Sequence, residues 1–209
     1  LLLAYVGIDM LAGPSEICII ADESALPAWV AADMLSQAEH DPLASAVCIT
    51  TDPAMAEAVQ AELAAQVQTL PRAEIAVRSL ADWGAVIIVP DLAVAADVAN
   101  TIAPEHLELA LADPWPVTGA IRHAGAIFLG HYAAESVGDY FAGPNHVLPT
   151  MGTARFSSGL SVATFCKKSN VIRVSEVFTR EHAESIARLA RIEGLEAHAR
   201  AVEARVGKK

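Results

Sequence analysis

The strongest constraint on the fold of this chain is an alternation. Short apolar runs at Ile17–Ala21, Ala46–Thr50 and Ala85–Val89 take turns with segments of helical pattern. Each run is too short for a core helix, and turn residues such as Gly84 and Pro90 bound the third. That texture fits strands buried on both faces. Pro27 opens a helix to about His40, and Asp52-Pro53 opens one to about Gln68. Proline is accepted there because the first helical turn has no partner for the N–H it lacks. Asp91–Ile102 is again helical in pattern. Strand–helix alternation predicts an α/β fold, a Rossmann-like doubly wound parallel sheet.

From Pro114 to Gly159 the texture changes. Prolines at 114, 116, 144 and 149 and glycines at 119, 125, 130, 138, 143, 152 and 159 break every long element. Short strands and structured loops are expected there, where sites usually lie. Thr179–Arg205 returns to a helical pattern, interrupted near Gly194. The reading is therefore an α/β domain over residues 1–150, incomplete as a sheet, and a connecting segment with a small helical C-terminal arm over 151–209.

The chain's 209 residues are 54% hydrophobic and 19% charged, which excludes a disordered or collagen-like protein. A chain this long buries enough surface to fold without disulfides or a structural metal. The net charge of −11 argues against nucleic acid as the main partner. It is unevenly spread: residues 151–209 carry 11 basic and 6 acidic side chains, and residues 1–150 carry 3 and 19. Arm and body should attract each other, within one chain or between two; a solvated basic helix is the plainer reading. No apolar run reaches the roughly 18 residues of a membrane span. Leu1–Ile8 is apolar, lacks a basic n-region and a cleavage pattern, and reads as the middle of a strand in a chain cut from something longer. Cys18 and Cys48 sit inside apolar runs and read as buried thiols of a reducing compartment, the cytoplasm.

Several polar groups invite a chemical reading. In Ser36-Gln37-Ala38-Glu39-His40, Gln37 and His40 are three residues apart and leave one helical face. An amide oxygen and an imidazole there suit a borderline cation; a histidine interacting with the helix dipole is the alternative. Pro104 forces its predecessor out of the helix, leaving Glu105 and His106 at a loop or strand start. They read as a general-base pair or as a surface turn. Asp139 and His146 lie in a glycine-rich stretch, as ligand and substrate contact or as turn residues. Glu193 and His198 share a face only if Gly194 breaks the helix between them. Gly13-Pro14-Ser15-Glu16 reads as a tight turn presenting a hydroxyl. No Walker, GxSxG, HExxH, CxxC or GxGxxG pattern is present.

Taken in order, Asp9-Met10-Leu11-Ala12-Gly13-Pro14-Ser15-Glu16, Ser36–His40, Ala103–Glu108, Gly143–Thr150 and Glu193–His198 resemble the histidinol dehydrogenase family along essentially the whole chain. The resemblance implies a zinc- and NAD-dependent enzyme that oxidises L-histidinol through L-histidinal to L-histidine. It implies Gln37, His40, Asp139 and His198 as zinc ligands, and Glu105 and His106 as proton acceptors. Ser15, His146 and Glu193 would join His106 and the ligands in contacting substrate. It further implies a homodimer whose arm completes the partner's active site. The chain corresponds to the C-terminal half of the family's sequence, so most NAD contacts are expected outside it. A relative oxidising another small alcohol, or a truncated non-catalytic metal-binding module, are the competing readings.

Overall fold

The computed structural model describes residues 7–207. Two compact units divide between Phe165 and Cys166.

In the first unit, five parallel strands form one sheet: β1 (Glu16–Ala21), β2 (Ser45–Thr50), β3 (Gly84–Ile88), β4 (His106–Ala110) and β5 (Ala126–Leu129). Their order is β3-β2-β1-β4-β5, so chain direction across the sheet reverses at the β1–β4 neighbourhood. This is the doubly wound architecture expected from the alternation. Three helices, α1 (Pro27–Ala38), α2 (Pro53–Gln66) and α3 (Ala73–Trp83), connect the first three strands. α4 (Leu92–Ile102) links β3 to β4. The four-residue α5 (Trp115–Thr118) and six-residue α6 (Glu135–Tyr140) lie in the broken stretch either side of β5.

Strand alternation decides what each face meets. Ile17, Ile19 and Ala21 of β1 pack with Val30 and Met34 of α1 and Met55 and Val59 of α2. Cys18 and Ile20 face the other way, with Ala95, Ala96 and Ala99 of α4 and Leu107 and Leu109 of β4. Both strand thiols, Cys18 and Cys48, are buried as expected. The alanine-rich face of α4 lets that helix approach the sheet closely, which bulkier side chains would prevent.

Local signals set the ends. The Asp52 and Asp91 side chains accept from the N–H groups of Ala54 and Val94, capping α2 and α4. α4 stops at Ala103, which adopts the left-handed conformation at φ 54° before Pro104 turns the chain into β4. α3 escapes the sequence pattern, as do the short helices α5 and α6 in a stretch expected to hold strands and loops; of β4, whose five residues His-Leu-Glu-Leu-Ala are all buried, only the start is anticipated. The strand read into Leu1–Ile8 falls largely outside the described residues.

The second unit is a helical hairpin. α7 (Glu176–Ile192) and α8 (Glu196–Glu203) are separated at Gly194, whose φ of +76° breaks the helix. Arg191 ties the hairpin together through Glu196 and Glu203, at 2.9 and 2.8 Å. Among the described residues, no helix is long and apolar enough to cross a membrane.

Candidate functional site

Three strand starts define the site. Glu16 opens β1, His106 opens β4 directly across from Ile17, and Ala126 opens β5 across from His106. The polar residues therefore gather at the amino ends of the strands, opposite the edge where doubly wound sheets usually bind ligands. The reason is the path of α1. It runs back from the carboxyl end of β1, so its last residues, Gln37 and then His40, return to the amino edge.

His106 is the centre of the cluster. It is 2% exposed, so the pair it forms with Glu105 is no surface turn. Its Nδ1 lies 2.9 Å from the Glu16 carbonyl oxygen. A carbonyl only accepts, so Nδ1 carries the hydrogen and, in the neutral ring, Nε2 keeps its lone pair. Burial pushes the His106 pKa down to about 4, with the neighbouring His146 and His40 adding to the effect. His146 Nε2 lies 2.9 Å from that lone pair, and the rings stack with centroids 4.9 Å apart.

Glu105 occupies the other side of the imidazole, its Oε2 3.6 Å from Nδ1. Its carboxylate accepts from the Glu16 N–H at 3.1 Å, and its own N–H donates to the Glu16 carboxylate at 3.3 Å. Burial raises its pKa to about 7, reinforced by the charges of Glu16, Glu135 and Asp139. Glu16 also accepts from the Met151 N–H at 2.8 Å, so one residue anchors Glu105, His106 and the loop after Pro149. Gly125 is required here. A Cβ on it would sit 2.6 Å from the Glu105 carbonyl oxygen.

Glu135, at the start of α6, is buried and puts Oε1 3.2 Å from His146 Nε2 and 3.8 Å from His106 Nε2. Side-chain atoms of His106, Glu135 and His146 lie within 4.8 Å of one another, a spacing that could hold a metal ion. The charges of His40 and Asp139 both act on Glu135 and on His106. His40, Glu105, His106, Asp139 and His146 thus belong to one end of the unit. Gln37 is buried at 1% exposure, and its Oε1 has no hydrogen-bond partner. His40 and Asp139 are exposed. Ser15 is half-buried, and its carbonyl accepts from the Ser45 N–H. Glu193, at the C-terminal cap of α7, and His198, on α8, are exposed residues of the second unit.

Four acidic residues drawn into this region carry no role in the sequence reading: Glu16, Glu135, Glu108 and Asp33. The legible signal was the period-2 pattern of β4, which places Glu108 on the same face as His106 in a strand otherwise apolar.

A family model described as histidinol dehydrogenase matches residues 1–206. The chain is 66% identical over 186 residues to histidinol dehydrogenase of Nitratidesulfovibrio vulgaris, covering 89% of this chain and 43% of that protein. It is 58% identical over 200 residues to the Bacillus subtilis enzyme, covering 96% and 47%. The crystal structure of histidinol dehydrogenase from Elizabethkingia anophelis superposes with a TM-score of 0.86 at 40% identity, over 96% of this chain and 46% of that one. The chain spans about half the length of the relatives it matches. Matched from its first described strand to its last helix, the chain belongs to the histidinol dehydrogenase family.

Proposed function

We propose that this chain supplies the metal- and substrate-binding part of an enzyme that oxidises L-histidinol, through L-histidinal, to L-histidine. The observation that carries the reading is the His106 imidazole: buried, neutral, with Nδ1–H held by the Glu16 carbonyl and the Nε2 lone pair turned to the cluster. That is a base fixed in one tautomer.

The donor set fits zinc. The Gln37 Oε1 is buried without a partner, and an orphaned amide oxygen is a donor that a borderline cation accepts together with imidazole and carboxylate. Gln37, His40 and Asp139 would hold the ion, with a fourth ligand, His198, supplied by the arm of a second copy of the chain. Bound there, zinc supplies a positive charge that orients the substrate's polar groups and favours the ionised alcohol.

The residues do the rest. Once the substrate hydroxyl takes the place of the His146 N–H at 2.9 Å, His106 Nε2 accepts the hydroxyl proton. Its Nδ1–H stays on the Glu16 carbonyl, so the ring cannot turn away. His146 and Glu135 line the same side and hold the substrate's imidazole by hydrogen bonds, with Ser15 and Glu193 as further contacts. Glu105, titrating near neutrality, takes the proton of the water that adds to the aldehyde.

NAD does not fit the carboxyl-edge crevice of this sheet. The turn after β1 runs Asp22-Glu23-Ser24 without glycine, and Asp22 already accepts from the N–H groups of Ser24 and Ala112. Acidic side chains there repel a pyrophosphate. The portion of the relatives not spanned by this chain is therefore assigned the dinucleotide. The acidic 1–150 segment and the basic arm support a homodimer with a shared site, and the buried Cys18 and Cys48 thiols support a cytoplasmic setting.

The test uses the full-length enzyme, histidinol and NAD, with NADH followed by absorbance. H106N should keep stoichiometric zinc and lose about 10²–10⁴-fold in turnover; wild-type turnover would refute the assignment. Mixing H198A with H106N should restore activity in heterodimers. Confirmed heterodimers without recovery would exclude sharing between subunits.

A further inference from the structure

We propose that Asp33 and Glu108 form a proton-sharing carboxyl pair that positions Glu135, and through it the His106–His146 contact. Glu108 lies on β4 opposite Ile19, two residues from His106 and on the same face. It is 4% exposed. Its side chain is hydrogen-bonded to that of the half-buried Asp33 on α1, and two carboxyls can bond only if one carries a proton. Burial and the Asp33 charge both disfavour ionised Glu108, so the proton resides there at neutral pH.

The remaining oxygen of Glu108 has a specific use. Oε1 accepts from the Glu135 N–H at 2.7 Å, a donor that the first residue of a helix leaves without an intrahelical partner. The bond fixes where α6 begins. Glu135 then sets Oε1 3.2 Å from His146, and Asp139 follows one turn later. On the other side, Asp33 sits one turn before Gln37 on α1. Three elements that each present a residue to the site are therefore joined through one side chain.

Stability alone does not account for the pair. Buried polar pairs can often be replaced by well-packed apolar residues at no net cost. Around it the fold does use apolar side chains, Ile17 and Ile19 of β1 and Met34 of α1. Holding a helix start to within a fraction of an ångström is something an apolar contact does less well, because hydrogen bonds are directional.

This inference rests on the proposed function for its kinetic arm, and a second readout is independent of it. In the full-length enzyme, E108A removes the acceptor; E108Q keeps an oxygen for the Glu135 N–H and an amide to donate to Asp33. Because Glu135 and His146 hold the substrate's imidazole, misplacement of about 1 Å predicts a loss in kcat/KM of about 10²-fold for E108A, with KM raised as well as kcat lowered. E108Q should stay within about threefold of wild-type kcat/KM. If E108A does not fold, E108D, one methylene short of the Glu135 N–H, takes its place. In parallel, the imidazole 15N resonances of His146 should move in E108A or E108D and not in E108Q. Wild-type kcat/KM with unmoved resonances in E108A, or E108Q as impaired as E108A, overturns the proposal. If the wild-type enzyme does not oxidise histidinol, the functional reading falls and the resonances alone decide this one.

Discussion

His106 and His146 meet through their Nε2 atoms at 2.9 Å. In that geometry one nitrogen must donate and the other accept. Because His106 Nδ1–H is committed to Glu16, His146 is the donor, its N–H shared with Glu135 Oε1 at 3.2 Å. The expected 15N spectrum of the metal-free chain has a pyrrole-like Nδ1 and a pyridine-like Nε2 for His106. The opposite tautomer would contradict the assignment. Since burial depresses its pKa to about 4, the ring should stay neutral from pH 8 down to below 5.

Glu105 links pH to stability with a defined sign. Its folded pKa, about 7, lies above its ordinary value of 4.5. The folded state therefore holds the proton more tightly, and the stability this confers is complete below pH 4.5 and lost as pH rises through about 7. The shift corresponds to at most about 3 kcal/mol. In metal-free protein, wild type should lose stability relative to E105Q between pH 5 and 8 in denaturant titrations. Parallel curves would show that Glu105 is not held in its neutral form.

Gln37 sets ligand binding against folding. Its orphaned Oε1 costs the metal-free fold about 1–3 kcal/mol of unreturned desolvation. Replacing it by leucine, of similar volume, should raise the melting temperature of the chelated protein and abolish stoichiometric zinc. A destabilised variant, or one that keeps its zinc, refutes the ligand role.

Gly125 holds the backbone of β5 beside Glu105. A methyl group there meets the Glu105 carbonyl at 2.6 Å and the Pro149 ring at 3.1 Å. G125A should cost about 1–3 kcal/mol in denaturant unfolding and should displace Glu105. An unchanged midpoint would mean that the two strands separate easily.

How much of this was legible in the residues can be seen strand by strand. β1, β2 and β3 were read within one residue of their observed bounds because they are uninterrupted apolar runs between turn residues. Of β4 only the start is legible, as a loop or strand start at Glu105 and His106, because His106 and Glu108 break its apolar pattern. Those two are the ionisable residues of the strand, so the feature that hid it is the feature that carries polar groups into the cluster. α3 was missed for a different reason: its capping residue, Arg72, makes no side-chain cap, so nothing in the sequence announces its start. In the site, adjacency in sequence paired Glu105 with His106, whose side chains the fold holds 3.6 Å apart. The approach of Asp33, Glu108 and Glu135 was invisible, since it depends on contacts between residues from 27 to 75 positions apart, which only the sheet order creates.

The placement of the cluster at the amino ends of the strands separates what this fold can vary from what it must keep. Turns at the opposite rim, such as Asp22–Leu26 and the one following Thr50, can lengthen or change sequence with the base and its anchors untouched. A single inserted residue between His40 and Ser45, or between Ala103 and His106, would shift a strand start and dismantle the site while leaving the core packed. Tolerance to insertion is therefore a property of the rim, and a library of one-residue insertions sorted by folding and by turnover would map it directly.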